Sequence, residues 1–111
     1  LMREYPAYLR SYARMIPRCT AGMLKEPVFD RLEEIRVPTL IIYGREDQLI
    51  PNRFLHPTQT PARIAYNGHH KIPGSRLALL PSAGHFVMWE QAEQVNFTIR
   101  QFLQEGAWIG V

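Results

Sequence analysis

Two unbroken apolar runs stand out against the otherwise mixed pattern of hydrophobic and polar positions along the chain. The first covers residues 39–43 and is stopped by Gly44. The second covers residues 77–80, follows Arg76 as the first residue of the predicted strand, and is stopped by Pro81. Neither run alternates with polar residues, and such runs are typical of parallel strands covered on both faces. We therefore predict two buried parallel strands.

Helical spacing of apolar residues marks the segments between and after these strands. One helix is predicted over residues 61–71, with Pro61 in its first turn. Another is predicted over residues 89–104 and is closed by Gly106. The strand–helix–strand–helix order predicts an α/β architecture, in which a crossover joins the parallel strands.

The first 36 residues have a different, purely helical pattern. It predicts an amphipathic helix that ends before Pro17, then a loop that extends to Pro27, then a short helix over residues 28–35. Tyrosines on the first helix either cover a core or line a pocket. The positions that carry this pattern are Tyr5, Tyr8, Leu9, Tyr12, Met15 and Ile16.

Composition narrows the functional classes. The net charge of +3 comes from scattered Lys and Arg, which disfavours a nucleic-acid partner. No apolar run approaches the roughly 18 residues of a membrane span. The single cysteine, Cys19, excludes an internal disulfide and slightly favours the cytoplasm. Because Leu1 is not a methionine, we expect the chain to begin within a longer protein, so the lack of a visible signal peptide has little meaning.

A carboxylate and an imidazole follow the two predicted strands. Asp47 lies just after the first strand and His85 just after the second. Ligands of open α/β sheets bind beyond the carboxyl ends of the strands, so both side chains are expected at one edge. An acid that orients a histidine is half of a catalytic triad. Alternatively, Asp47 bonds only turn amides and His85 is an ordinary loop residue.

The surroundings of this pair resemble the α/β-hydrolase superfamily. The similar segments are Pro38-Thr39-Leu40-Ile41-Ile42-Tyr43-Gly44-Arg45-Glu46-Asp47 with Ile50-Pro51, and Ala83-Gly84-His85-Phe86 with Trp89-Glu90 and the final helix. The resemblance covers about residues 23–104. It implies that residues 1–36 are the end of a helical cap with its connecting helix, and that residues 37–111 are the C-terminal part of the core. It also implies that Asp47 is the triad acid and His85 the general base.

The nucleophile of that family is absent from the chain. It occupies a Gly-x-Ser-x-Gly turn upstream of the acid, whereas Ser11, Ser75 and Ser82 lack flanking glycines. The resemblance therefore implies a cofactor-independent, serine-hydrolase-type enzyme that needs the N-terminal remainder of the same fold. Its small-molecule substrate would contain an ester or a related carbon–carbon or epoxide bond, and the isolated chain would be inactive. A non-catalytic homologue (a receptor or interaction protein) and a truncated inactive product remain alternatives.

Other residues near the pair are candidates for the pocket. Phe86 and Trp89 are expected either to line the substrate pocket or to serve in packing. Asp47 and His85 are 38 residues apart, which is more than the resemblance implies, and residues 52–60 account for the excess. Insertion of a loop there costs little and either shapes the substrate entrance or forms a plain surface excursion. No metal site is expected, because the remaining histidines lack ligand spacing.

Overall fold

The structure, a computed structural model, describes residues 5–105 apart from the side chain of Tyr5. These residues divide into two compact units, one up to Asp30 and the other from Arg31 onward. The predicted helix end at Gly106 lies outside the described residues. The proposed division into a cap segment, residues 1–36, and a core segment, residues 37–111, stays a prediction.

The first unit contains one long helix, α1 (Tyr5–Lys25). The prediction that this helix ends before Pro17 was wrong, and so was the loop predicted after it. Proline removes one backbone N–H and costs a helix interior about 3 kcal/mol. The flanking residues are mostly good helix formers, such as Ala13, Arg14, Met15 and Arg18, and the helix continues through the proline. The side chains of residues 6–25 are all exposed.

A 3₁₀ helix (Phe29–Glu34) replaces the second short α-helix predicted in this part of the chain. Arg31 donates hydrogen bonds to the Glu34 carboxylate within it, and both side chains are exposed. Arg36 then donates to the Glu33 carbonyl oxygen at 2.6 Å. These local bonds stabilise the segment that leads into the first strand.

The second unit is built on two parallel strands, β1 (Leu40–Gly44) and β2 (Arg76–Leu80), which pair directly. Leu40 pairs with Arg76, and Gly44 with Leu80. The predicted α/β class is thereby confirmed. The prediction of full burial was wrong, since residues 40–43 are only half-buried. Within residues 5–105 the sheet has two strands, so each strand keeps one unpaired edge.

The crossover between the strands ends in helix α2 (Pro61–Lys71), which has the predicted bounds. The Thr60 hydroxyl caps it by accepting the Arg63 backbone N–H, and Pro61 occupies the first turn, where no N–H is needed. Helix α2 packs against both strands. Its C-terminus is fastened to β2 by Ser75, whose buried hydroxyl donates to the His69 carbonyl oxygen.

The last predicted helix is divided in two, α3 (Val87–Glu90) and α4 (Ala92–Gln104). The single helix predicted over residues 89–104 therefore starts earlier and is interrupted at Gln91. Gln91 has φ −136° and ψ 53°, outside the helical region, and its side chain donates to the Ser82 carbonyl oxygen at 3.1 Å. The Gln91 side chain thereby connects the start of α4 to the loop that carries His85.

A small apolar core holds α3, α4 and the strand ends together. Leu80, Ala83, Val87 and Val95 are buried there. Ile42 and Ala78 pack against this cluster from the sheet. Among residues 5–105, no helix combines the length and the apolar character that crossing a membrane requires.

Candidate functional site

The loops that follow β1 and β2 touch through their backbones. The Arg45 N–H donates to the Leu80 carbonyl oxygen and the Glu46 N–H to that of Ala83, both at 2.9 Å. This approach requires Gly44, because a Cβ at that position would collide with the backbone of Ala83 and Gly84. The glycine that stops the first apolar run thus allows the two loops to meet.

Asp47 lies at the bottom of this junction, with 5% of the residue exposed. Its Oδ1 accepts the backbone N–H groups of Leu49 at 2.8 Å and Ile50 at 3.0 Å. Its Oδ2 accepts a hydrogen bond from His85 Nδ1 at 2.9 Å. The turn amides and the histidine therefore share one carboxylate, so Asp47 does not bond turn amides alone.

His85 lies above the carboxylate with 36% of its side chain exposed, against 3% for Asp47. Since an ionised carboxylate only accepts hydrogen bonds, Nδ1 must carry the proton in this contact. In the neutral ring, Nε2 is then the unprotonated nitrogen. No residue of the described range 5–105 donates a hydrogen bond to it. This is the tautomer that a general base requires.

The electrostatics favour an ionised carboxylate at Asp47. Burial alone raises the pKa of Asp47, but hydrogen bonds from the Ile50 amide, His85 and the Leu49 amide, together with the charge of His85, outweigh it and lower the pKa below its ordinary value. Burial, with the neighbouring Asp47 charge, raises the pKa of Tyr43. The Tyr43 hydroxyl is therefore neutral and donates to the Ile50 carbonyl oxygen at 2.9 Å.

An open cleft of about 480 Å³ lies in front of His85. Phe86 and Trp89, the two predicted pocket residues, both line it. Phe86 meets the His85 ring edge-on, with 5.2 Å between ring centroids, and stacks on Trp89 at 5.3 Å. Trp89 is 79% exposed, so it does not belong to the core that the described residues form. Whether either residue binds substrate stays a prediction.

Glu90 is a site residue that the sequence prediction missed. Its carboxylate accepts the Gly84 N–H at 2.9 Å, directly before His85. Gln91 holds the same loop through the Ser82 carbonyl oxygen. Both contacts join α3 or the residue after it to the loop before His85, and no pattern in the sequence predicts them. The Glu90 side chain also borders the cleft.

The other histidines and serines do not form a second catalytic set. His69 Nδ1 lies 2.7 Å from Ser75 Oγ, but that hydroxyl is buried and already donates to a carbonyl oxygen. Ser82 lines the cleft, and its hydroxyl makes no hydrogen bond to His85. Within residues 5–105, no group of three or more His, Cys, Asp or Glu side chains is arranged to hold a metal ion.

Comparison with known proteins identifies relatives of the chain. No family model matches it. It is 32% identical over 74 residues to a 2-hydroxy-6-oxononadienedioate/2-hydroxy-6-oxononatrienedioate hydrolase of Burkholderia vietnamiensis, an alignment that covers 67% of this chain and 22% of the relative. It is 37% identical over 75 residues to a putative non-heme chloroperoxidase of Synechocystis sp., covering 68% and 24%.

A third relative and one solved structure are also similar to the chain. A proline iminopeptidase of Saccharolobus solfataricus is 31% identical over 85 residues, with 76% of this chain and 24% of the relative covered. The carboxylesterase CesB of Bacillus subtilis superposes with a TM-score of 0.55 at 24% identity, covering 70% of this chain and 24% of CesB. The chain belongs to the α/β-hydrolase superfamily.

This α/β-hydrolase chain spans less than a quarter of the length of each of these curated relatives. The resemblance seen in its sequence is confirmed. The strand pair, the acid loop and the histidine loop form one continuous site within it. The roles of Asp47 and His85 in a reaction are a proposal, as is the activity of the whole protein.

Proposed function

We propose that the chain supplies the acid and the general base of a hydrolase, Asp47 and His85, to a nucleophile contributed by another segment of the protein. The observation that carries the proposal is the 2.9 Å hydrogen bond from His85 Nδ1 to the buried Asp47 carboxylate. That bond leaves Nε2 as the basic nitrogen at a cleft. A pair held only for stability has no need of an exposed imidazole.

In the proposed reaction, Nε2 of His85 removes the proton of the nucleophile's hydroxyl as the oxygen attacks the substrate. The imidazolium that forms is stabilised by the Asp47 carboxylate, which stays ionised. His85 then gives the same proton to the leaving group, and the cycle is repeated with water as the attacking group. Asp47 favours this cycle because its pKa is lowered, so it does not compete for the proton.

The nucleophile and the oxyanion-stabilising amides would lie in a segment that precedes the acid in the order Ser, Asp, His. A serine gives acyl transfer, and an aspartate in its place gives epoxide chemistry. Of the relatives described above, one is named as a 2-hydroxy-6-oxononadienedioate/2-hydroxy-6-oxononatrienedioate hydrolase and another as a proline iminopeptidase. An ester or a related carbon–carbon or epoxide bond is the proposed target.

The deciding experiment replaces His85 in the full polypeptide that the gene encodes. His85→Ala should lower kcat for p-nitrophenyl butyrate at least about a thousandfold, because the proton of the nucleophile then has no acceptor. His70→Ala is the matched control, since His70 is exposed on α2, where its ring stacks on Tyr66 and lies tilted against His69. A loss below tenfold in His85→Ala would remove His85 from the mechanism.

A non-catalytic homologue that only binds small molecules is the second candidate. The same cleft with Phe86 and Trp89 favours it, because stacked aromatic side chains bind planar ligands without any chemistry. The ordered acid–imidazole pair is not needed for such binding. The sequence upstream of the chain discriminates the two, since a receptor has no requirement for a Gly-x-Ser-x-Gly turn.

A further inference from the structure

The backbone amides that hold Asp47 belong to an exposed segment of its loop. Leu49 is 60% exposed and Ile50 47%. Within residues 5–105, their N–H groups donate to Asp47 itself, and the Gln48 side chain donates to the Glu46 carbonyl oxygen of the same loop. A short exposed segment of this kind opens easily unless it is tied to a rigid element. The position of the carboxylate therefore depends on how this segment is tied to the sheet.

The side chain of Tyr43 provides such a tie. Tyr43 is half-buried on β1, where it pairs with Leu79, and its hydroxyl donates to the Ile50 carbonyl oxygen at 2.9 Å. The N–H of the same Ile50 donates to Asp47 Oδ1 at 3.0 Å. Two consecutive hydrogen bonds thus connect the strand to the carboxylate through one residue of the loop.

The Tyr43 hydroxyl stays a hydrogen-bond donor while Asp47 is ionised. Burial, together with the charge of Asp47, raises the pKa of Tyr43, so the hydroxyl keeps its proton. Tyr43 is not among the residues that line the cleft in front of His85. Its effect on a reaction in that cleft therefore passes through Ile50 and the carboxylate.

We infer that Tyr43 is a positioning residue of the proposed hydrolase, whose hydroxyl fixes Ile50 and so holds the Asp47 carboxylate where it orients His85. The inference rests on the proposed function, in which His85 is the base. Without the hydroxyl, the exposed Ile50 carbonyl oxygen can accept a hydrogen bond from water, so folding is affected little. The carboxylate then moves with its loop, and a small displacement of a catalytic group lowers the rate strongly.

The test is Tyr43→Phe in the full polypeptide, which removes only the hydroxyl. The kcat for p-nitrophenyl butyrate should fall about tenfold, and KM should change less than about twofold because Tyr43 does not line the cleft. Hydrogen exchange measured by NMR should become about tenfold faster at the Leu49 and Ile50 amides. It should stay unchanged at the Arg76 amide, which donates to the Thr39 carbonyl oxygen. A kcat within twofold of the wild type, or unchanged exchange at Leu49 and Ile50, would overturn the inference.

Two further variants separate the hydrogen bond from the packing of the ring. Tyr66→Phe is the matched control, since it removes the hydroxyl of an exposed tyrosine on α2 and should change neither kcat nor exchange. Tyr43→4-aminophenylalanine keeps an N–H donor at the same place and should restore most of kcat. Failure of this donor to restore kcat would contradict the inference. Equal acceleration of exchange at Arg76 and Leu49 in Tyr43→Phe would also contradict it, because Tyr43 would then stabilise the sheet as a whole.

The outcome is separable from that of the proposed function, because exchange is measured without substrate. If His85→Ala retains hydrolysis, the proposed function fails and Tyr43 positions no base, while the exchange data still decide whether Tyr43 ties the loop to β1. If His85→Ala is inactive and Tyr43→Phe keeps its kcat, the inference about Tyr43 fails alone.

Discussion

At the scale of the residue, the two oxygens of Asp47 have different partners. Oδ1 accepts two backbone N–H groups of its own loop, and Oδ2 accepts the imidazole. The loop amides fix the position of the carboxylate, and the carboxylate then fixes the tautomer of His85. The backbone thus positions the carboxylate, and the carboxylate positions the imidazole. The imidazole is the more exposed of the two side chains.

Asp47→Asn should separate the structural contribution of Asp47 from its effect on proton transfer. The amide oxygen of asparagine still accepts the Leu49 and Ile50 N–H groups, but its NH₂ faces the imidazole and forces Nδ1 to accept. Nε2 then carries the hydrogen and is no longer a base, so kcat should fall about 10⁴-fold with the fold retained. The ¹⁵N shifts of the imidazole report the tautomer. Unchanged shifts would contradict this account.

The Asp47 pKa also predicts how stability depends on pH. The pKa is lower in the folded chain than in the unfolded chain, so folding favours the ionised form. This stabilisation is fully present above the ordinary pKa of an aspartate, about 4, and is lost as the pH falls from there through the lowered value. The free energy of unfolding from urea titrations should therefore decrease over that acidic range. Asp47→Asn should show a shallower decrease, whereas Asp30→Asn, at an exposed position, should match the wild type.

At the scale of the element, most secondary structure follows from the sequence. The bounds of α2 and β2 agree with the prediction because Pro61, Gly74 and Pro81 are strong local signals at their ends. The errors arose where such local signals did not determine the backbone conformation. Helix α1 continues through Pro17, and Gln91 leaves the helical conformation although its neighbours favour a helix.

The candidate site, too, was predicted from the sequence only in part. The acid and the histidine could be found because each follows an apolar run and because parallel strands end at one edge. Glu90 could not be found, since its contact with the Gly84 N–H exists only in the folded loop. Such a contact depends on the tertiary structure, and the local sequence pattern does not predict it.

Glu90 should act as a positioning residue for the histidine loop. Glu90→Ala removes the acceptor of the Gly84 N–H, and the loop should loosen, lowering kcat about tenfold to a hundredfold while KM changes little. Glu90→Gln keeps an acceptor oxygen and should restore most of the rate. Glu93→Ala, at an exposed position on α4, is the control. Failure of Glu90→Gln to recover activity would show that the charge of Glu90, and not its hydrogen bond, matters.

At the scale of the whole molecule, the described residues form only a small core. The largest side chains of the second unit lie near its surface, and Phe54, Leu55 and Trp89 are more than 70% exposed. Both strands have an unpaired edge among residues 5–105, and unpaired edges favour association with other strands. The alignments cover only 22% and 24% of two relatives, and we expect the further strands of the sheet to lie in a part of the protein outside this chain.

The 111-residue chain alone should therefore hydrolyse no p-nitrophenyl ester above the uncatalysed rate. Its proposed acid and base have no activated nucleophile beside them among residues 5–105, and its sheet edges should make it associate at micromolar concentration. Size-exclusion chromatography with an ester assay measures both. A monomeric chain with turnover that disappears in His85→Ala would refute the need for another segment.

The loop that follows Pro51 is fastened to itself through Asn52, whereas the acid and the imidazole are fastened from the strand ends and from α3. Mutations in this loop should therefore leave the positions of Asp47 and His85 unchanged. An enzyme built this way would acquire new preferences through changes in this nine-residue segment, and library mutagenesis confined to residues 52–60 should yield altered selectivity at nearly constant turnover.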